Sequence, residues 1–148
     1  AFRCWALSRL APSLAGVYGA SQFGMRGAAR APPRSALVTN LVADWSTWTT
    51  DHPVRRAARF HGRLAAIHPF VDGNGRTARL AANLMLMHTG YPPAIISPAD
   101  RGAYVAALAA FDEGHEDPLV EIFAAACERT ADVMLQGLAP AEPEAEPD

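Results

Sequence analysis

His68 stands four residues before Asp72, and Asp72 opens onto Gly73-Asn74-Gly75-Arg76, with Arg79 three residues further on. Each of these types has a task beside a phosphate. Glycines reach backbone angles closed to most residues, and asparagine is among the few others that visit the left-handed region. A turn built from them can aim successive backbone N–H groups at one anion. The apolar residues that follow, Leu80, Leu84 and Met87, recur at helical spacing. The loop therefore opens onto a helix N-terminus, where negative charge is stabilised. Arg76 and Arg79 fall on one side of that first turn and can form paired hydrogen bonds with phosphate oxygens. Asp72 could hold Mg²⁺, which usually takes one or two carboxylates plus substrate phosphates. His68 is near enough to act as a base beside the same phosphates. A glycine-rich loop alone is usually only a turn, and a histidine before proline only a helix stop. The conjunction carries the signal.

Composition narrows the chemistry. The chain has 148 residues, a single domain by length, with half its residues hydrophobic and a net charge of −2. That balance gives no global nucleic-acid footprint. All 13 basic residues are arginine. Walker-A, Schiff-base and lysine general-base mechanisms are thereby excluded, and phosphate chemistry must run on arginine, backbone and metal. Cys4 and Cys127 form no CxxC pair, and the five histidines form no HExxH pattern. A reducing bacterial cytoplasm is the simplest location, with secretion left open. The first 43 residues hold five arginines and no acid. Arg9 interrupts the apolar run there, so neither a targeting segment nor a membrane span is expected. His61 reads as a packed or polar-satisfied residue rather than a ligand.

The elements that must position these groups are mostly helical. Residues 1–15 suggest a short helix, and the Gly- and Pro-rich stretch 16–33 a small hairpin or irregular loop. Leu37, Leu41, Trp45 and Trp48 predict a helix over 35–49. Pro53 suits a first helical position, with His52 before it, and that helix should run to Ile67 and bury Val54, Ala57, Ala58, His61, Leu64 and Ala65. Pro69 cannot continue it. A helix over 75–88 follows the loop, stopped by Gly90 and Pro92-Pro93. Ser97-Pro98-Ala99-Asp100 starts another, with Tyr104, Leu108 and Phe111 on its apolar face. Asp117-Pro118 starts the last, with Leu119, Ile122, Phe123, Ala126 and Val133 on one side. The tail 139–148 has four acids and three prolines and should be disordered. The result is an all-α bundle with its functional loop at one end, and Phe70 pinning that loop to the core. The divisions are 1–31, a core over 32–138, and the tail.

The string His-Pro-Phe-Val-Asp-Gly-Asn-Gly-Arg-Thr-Ala-Arg at 68–79 resembles, at every fixed position, the signature of the Fic (filamentation induced by cAMP) family. Residues 53–67, 87–93 and 117–121 are similar to the family's flanking segments, so the resemblance covers roughly residues 32–136. It implies a Fic-type helical bundle with a small β-hairpin flap over 16–33. It also implies transfer of AMP from ATP to a Tyr, Thr or Ser hydroxyl of a target protein. His68 would then take the hydroxyl proton and Asp72 would hold Mg²⁺. Gly73, Asn74 and Gly75 would cradle the phosphates, and Arg76 and Arg79 would neutralise the leaving pyrophosphate. The physics agrees, because such transfer needs positioning and charge stabilisation more than covalent chemistry. Membrane and direct nucleic-acid partners are not implied.

The chain departs from the family pattern twice. The inhibitory motif Ser/Thr-x-x-x-Glu-Gly/Asn is missing, since Glu113-Gly114 has Ala109 where the hydroxyl residue belongs. Family members without it are often toxins held by an antitoxin that supplies the glutamate. The flap also lacks the usual Tyr-Arg pair, as Tyr18 precedes Gly19. Two rival readings remain. One is a transferase of the same fold moving UMP, phosphocholine or phosphate. The Doc branch carries a bulkier basic residue in the loop, so Gly73-Asn74-Gly75 favours nucleotidyl transfer. The other is an interaction module with an idle nucleotide pocket, against which the intact His68 argues.

Overall fold

The computed structural model describes residues 34–138. The segments 1–33 and 139–148, with the expected short helix, flap and tail, lie outside the described residues. Within them run five helices: α1 (Arg34–Trp45), α2 (Pro53–Ile67), α3 (Asn74–His88), α4 (Arg101–Asp112) and α5 (Asp117–Leu138). A 3-10 turn, Pro98–Asp100, leads into α4. The all-α class is as expected.

α2 is the central post and packs against each of the other four described helices. His52 caps it, its Nδ1 accepting from the Val54 amide at 3.3 Å, with Pro53 at the first helical position. The face expected to be buried is buried, except that Ala65 is only half covered and Phe60 joins the interior. Gly62 sits on this helix where a Cβ would lie 2.7 Å from the Phe111 ring. Its missing side chain lets α4 approach.

α1 stops at Trp45, four residues short of the expected 49. The hydroxyls of Ser46 and Thr47 donate to the carbonyls of Ala43 and Asp44, both at 2.6 Å. Such side-chain bonds compete with helix continuation. Trp48 nonetheless packs inward and lies between the guanidiniums of Arg59 and Arg63, at 5.1 and 5.0 Å from its ring centre. Arg59 also binds Asp51 and, through Nε, both oxygens of Glu116, which ties α2 to the start of α5.

α3 buries Asn74, Ala78, Ala82 and Leu86. Leu84 and Met87, the residues that advertised the helix in sequence, are exposed. Small alanines let α3 close on α2, and the bulkier residues are left on the rim. Gly90, at φ 83°, ends α3, and the Tyr91 amide bonds back to the Leu86 carbonyl at 2.9 Å. Asn83 Oδ1 accepts from the Ala94 amide at 2.9 Å and fixes the link to α4. On α5, Leu119, Phe123, Ala126 and Cys127 are buried, but Val133 is 67% exposed, against expectation. Residues 132–138 are all exposed among the described residues.

Candidate functional site

The site is the turn between α2 and α3, and each of its parts has a local cause. α2 ends because His68 turns left-handed at φ 50°, the one non-glycine residue at positive φ among those described. Its amide still reaches the Leu64 carbonyl at 3.3 Å, and Pro69 prevents a further turn. A left-handed backbone costs a non-glycine residue about 1–2 kcal/mol, and such strain collects at functional positions. Arg34 on α1 holds the His68 carbonyl at 2.7 Å. The imidazole is exposed, and its Nδ1 lies 3.3 Å from the Ala65 carbonyl. A carbonyl only accepts, so that contact puts the proton on Nδ1 and leaves Nε2 as the basic nitrogen.

Phe70 is buried, as expected of a pin. Asn74 then clasps the turn. Its side-chain oxygen accepts from the Phe70 amide and its NH₂ donates to the Phe70 carbonyl, both at 2.8 Å. The clasp is buried. Gly73 supplies the left-handed corner at φ 81°. Gly75 does not: it lies inside the first turn of α3 with helical backbone, as does Asn74. The two glycines and the asparagine therefore do three different jobs. Only Gly73 needs its conformational freedom, Asn74 works through its amide side chain, and Gly75 leaves an open Cα beside Arg79.

α3 begins with the bond from the Thr77 amide to the Gly73 carbonyl at 2.8 Å. The amides of Asn74, Gly75 and Arg76 meet no acceptor among the described residues. Three open N–H groups at the positive end of a helix are the donors an anion would meet there. Gly73 offers no side chain to cap them.

The charged groups divide around this helix start. Asp72 and Arg76 are exposed and paired at 3.0 Å. A surface pair of this kind is worth about 0–1 kcal/mol, so either partner can be drawn away by a stronger ligand. Arg79 has no hydrogen bond or ion pair among the described residues. Its Nη1 lies 3.5 Å from where a Gly75 Cβ would stand. Beyond it opens a cavity of about 420 Å³ lined by Arg79, Ile96, Ser97, Arg101, Tyr104 and Val105. The two arginines thus serve different sides of one helix turn.

The described residues contain no group of three or more His, Cys, Asp or Glu side chains that could hold a metal. A metal gripped by protein alone does not fit them. A Mg²⁺ ion held by Asp72 and by the phosphates of a ligand does. No described helix is long and apolar enough to cross a membrane.

Sequence reading missed the second layer. His61 is completely buried, and its Nε2 lies 2.8 Å from the Tyr104 hydroxyl. Burial pushes this imidazole down to about 4; the Ala78 backbone acts the other way, and Arg79 adds to the lowering. Nothing in local spacing links Arg34, His61 and Tyr104 to the loop, since each comes from a different helix.

A model of the Fic/DOC family matches residues 7–86 of the chain. The chain is 42% identical over 110 residues to the protein adenylyltransferase Fic of Drosophila melanogaster, covering 70% of this chain and 22% of that protein. The protein of the same name from Aedes aegypti is 38% identical over 135 residues, covering 87% of this chain and 27% of its own length. Among solved structures, Fic-1 from C. elegans superposes with a TM-score of 0.77 at 32% identity, covering 89% of this chain and 40% of the other. A Fic-domain signaling protein from Bacteroides thetaiotaomicron gives 0.71 at 27% identity, covering 88% and 59%. The chain spans about a quarter of the length of the named adenylyltransferases it matches.

Proposed function

Because this chain belongs to the Fic/DOC family, we propose that it transfers AMP from ATP to a hydroxyl group of a protein. The observation that carries this reading is the set of open amides of Asn74, Gly75 and Arg76 beside an exposed histidine whose Nε2 is basic. The relatives named protein adenylyltransferase support the transferred group.

In this reading the ATP phosphates lie against the start of α3. A Tyr, Thr or Ser hydroxyl of the target attacks the α-phosphorus, and its proton passes to His68 Nε2. The new bond joins the hydroxyl oxygen to that phosphorus. The bond to the oxygen bridging the α- and β-phosphates breaks, and pyrophosphate leaves with the electron pair. Arg76 and Arg79 meet the charge that grows on it. Arg76 gives up its weak pair with Asp72 to do so. Asp72 would hold Mg²⁺, which neutralises phosphate charge when bound. The target would dock on residues 16–33.

Control would come from outside the described helices. Arg79 has no acid partner among the described residues, and Glu116 is committed to Arg59. A glutamate from another chain, as an antitoxin would supply, would pair with Arg79 and misplace the phosphates.

The test is incubation of the purified chain with Mg²⁺ and ATP labelled at either the α- or the γ-phosphate. Protein-bound label from the α-position, without any added partner, is the expected result. Label from the γ-position alone would show phosphate transfer instead. No label from either would leave transfer of a group that ATP does not supply, such as UMP or phosphocholine, or an idle binding module.

A further inference from the structure

The His61–Tyr104 pair is a costly way to fill a core. Two buried polar groups contribute less than two apolar groups of the same shape, unless their hydrogen bond has a further use. The pair is not even fully satisfied, for Nδ1 of His61 makes no well-formed hydrogen bond. What such a pair adds over apolar packing is direction. His61 lies on α2, and Tyr104 lies on α4 and on the wall of the cavity that Arg79 also lines. Phe123 closes the other side of the imidazole, its ring centre 5.1 Å away.

We propose that Tyr104, locked by His61, is a positioning residue for the nucleotide site, holding the wall of the cavity that opens beside Arg79. The inference rests on the reading of that loop as an ATP site. Through the 2.8 Å bond the α4 wall is registered to the helix that ends in His68. Arg79 lies beside Gly75 in the first turn of α3 and lines the same cavity as Tyr104. A tilt of α4 therefore changes the space open to a ligand lying along Arg79. The pair touches no reacting atom.

The test uses Tyr104→Phe, and Tyr104→Phe combined with His61→Leu, in the intact chain with Mg²⁺. ATP binding is measured by titration, kcat and KM by transfer of the α-label, and stability by Tm. The double variant replaces both polar groups with apolar ones and should melt at or near the wild-type temperature. Its Kd and KM for ATP should rise about tenfold, the scale of one directed hydrogen bond, with kcat within about twofold. A folded double variant that binds ATP as tightly as wild type overturns the proposal. Should the double variant fail to fold, Tyr104→Phe decides alone, since it removes one oxygen and keeps the ring; wild-type affinity in that single variant overturns the proposal equally. Wild-type protein that binds no ATP overturns the functional reading itself, and this inference with it.

Discussion

At the scale of single residues the site makes a sharp separation between His68 and its neighbours. Nδ1 of His68 is engaged by the Ala65 carbonyl, and the amides that would hold phosphates belong to α3. Removing the imidazole should therefore spare binding. His68→Ala is expected to lower AMP transfer by about 10²–10⁴-fold while ATP titrates nearly as in wild type. Full transfer by the variant would remove His68 from the role of base. Asp72 is the one acid between Asp51 and Asp100, so no neighbour in sequence can replace it. Asp72→Ala should raise the Mg²⁺ concentration needed for half-maximal transfer and lower the rate. An unchanged Mg²⁺ dependence would show that the ion is held elsewhere or not used. These two proposed roles come from residue type and from spacing within a dozen positions. The roles within the loop do not. Asn74 looked like a turn residue, yet it is helical and serves by clasping Phe70. A buried clasp depends on where the Phe70 backbone lies, which no spacing states.

At the scale of elements, sequence placed most helix ends correctly where the stop was chemical. Pro53 and Pro69 mark the ends of α2, and Gly90 that of α3. It failed where the stop was a competition, as at Ser46 and Thr47. On α3 the apolar residues that marked the helix, Leu84 and Met87, stay exposed, because close approach required Ala78 and Ala82. Close approach is also the reason for Gly62. In an open helix, Gly→Ala usually stabilises by about 0.5–1 kcal/mol. Here the added Cβ would stand 2.7 Å from the Phe111 ring, so the sign should reverse. Gly62→Ala is expected to cost about 1–3 kcal/mol, read as a lower Tm, and Phe111→Leu in the same chain should recover part of it. A Tm at or above wild type would mean that α4 moves aside without cost.

At the scale of the whole molecule, α2 and its buried histidine join the core to the site. His61 is pushed to about 4 in the fold, against an ordinary value of 6.5. The unfolded chain therefore takes up the proton first. The stabilisation is complete above about pH 6.5 and is lost as pH falls towards 4, by about 3 kcal/mol in all. The groups facing the ring, Arg79 from α3 and Tyr104 from α4, supply no negative charge that would soften this. Denaturant midpoints of wild type should fall more steeply between pH 6.5 and 4.5 than those of His61→Leu. Parallel curves for the two proteins would show that other groups govern acid sensitivity.

The sequence by itself determined the helical class, the loop between α2 and α3, and the residue types of the candidate phosphate loop. These follow from periodicity, from proline and glycine, and from a motif whose parts lie within twelve residues. Only the tertiary structure decided which face of α3 is buried, that Arg76 turns to Asp72 while Arg79 turns to a cavity, and that His61 meets Tyr104 across 43 positions. The reason is physical. A helix presents several faces, and which of them closes on a neighbour depends on side-chain volumes brought together from distant segments, which no local spacing encodes.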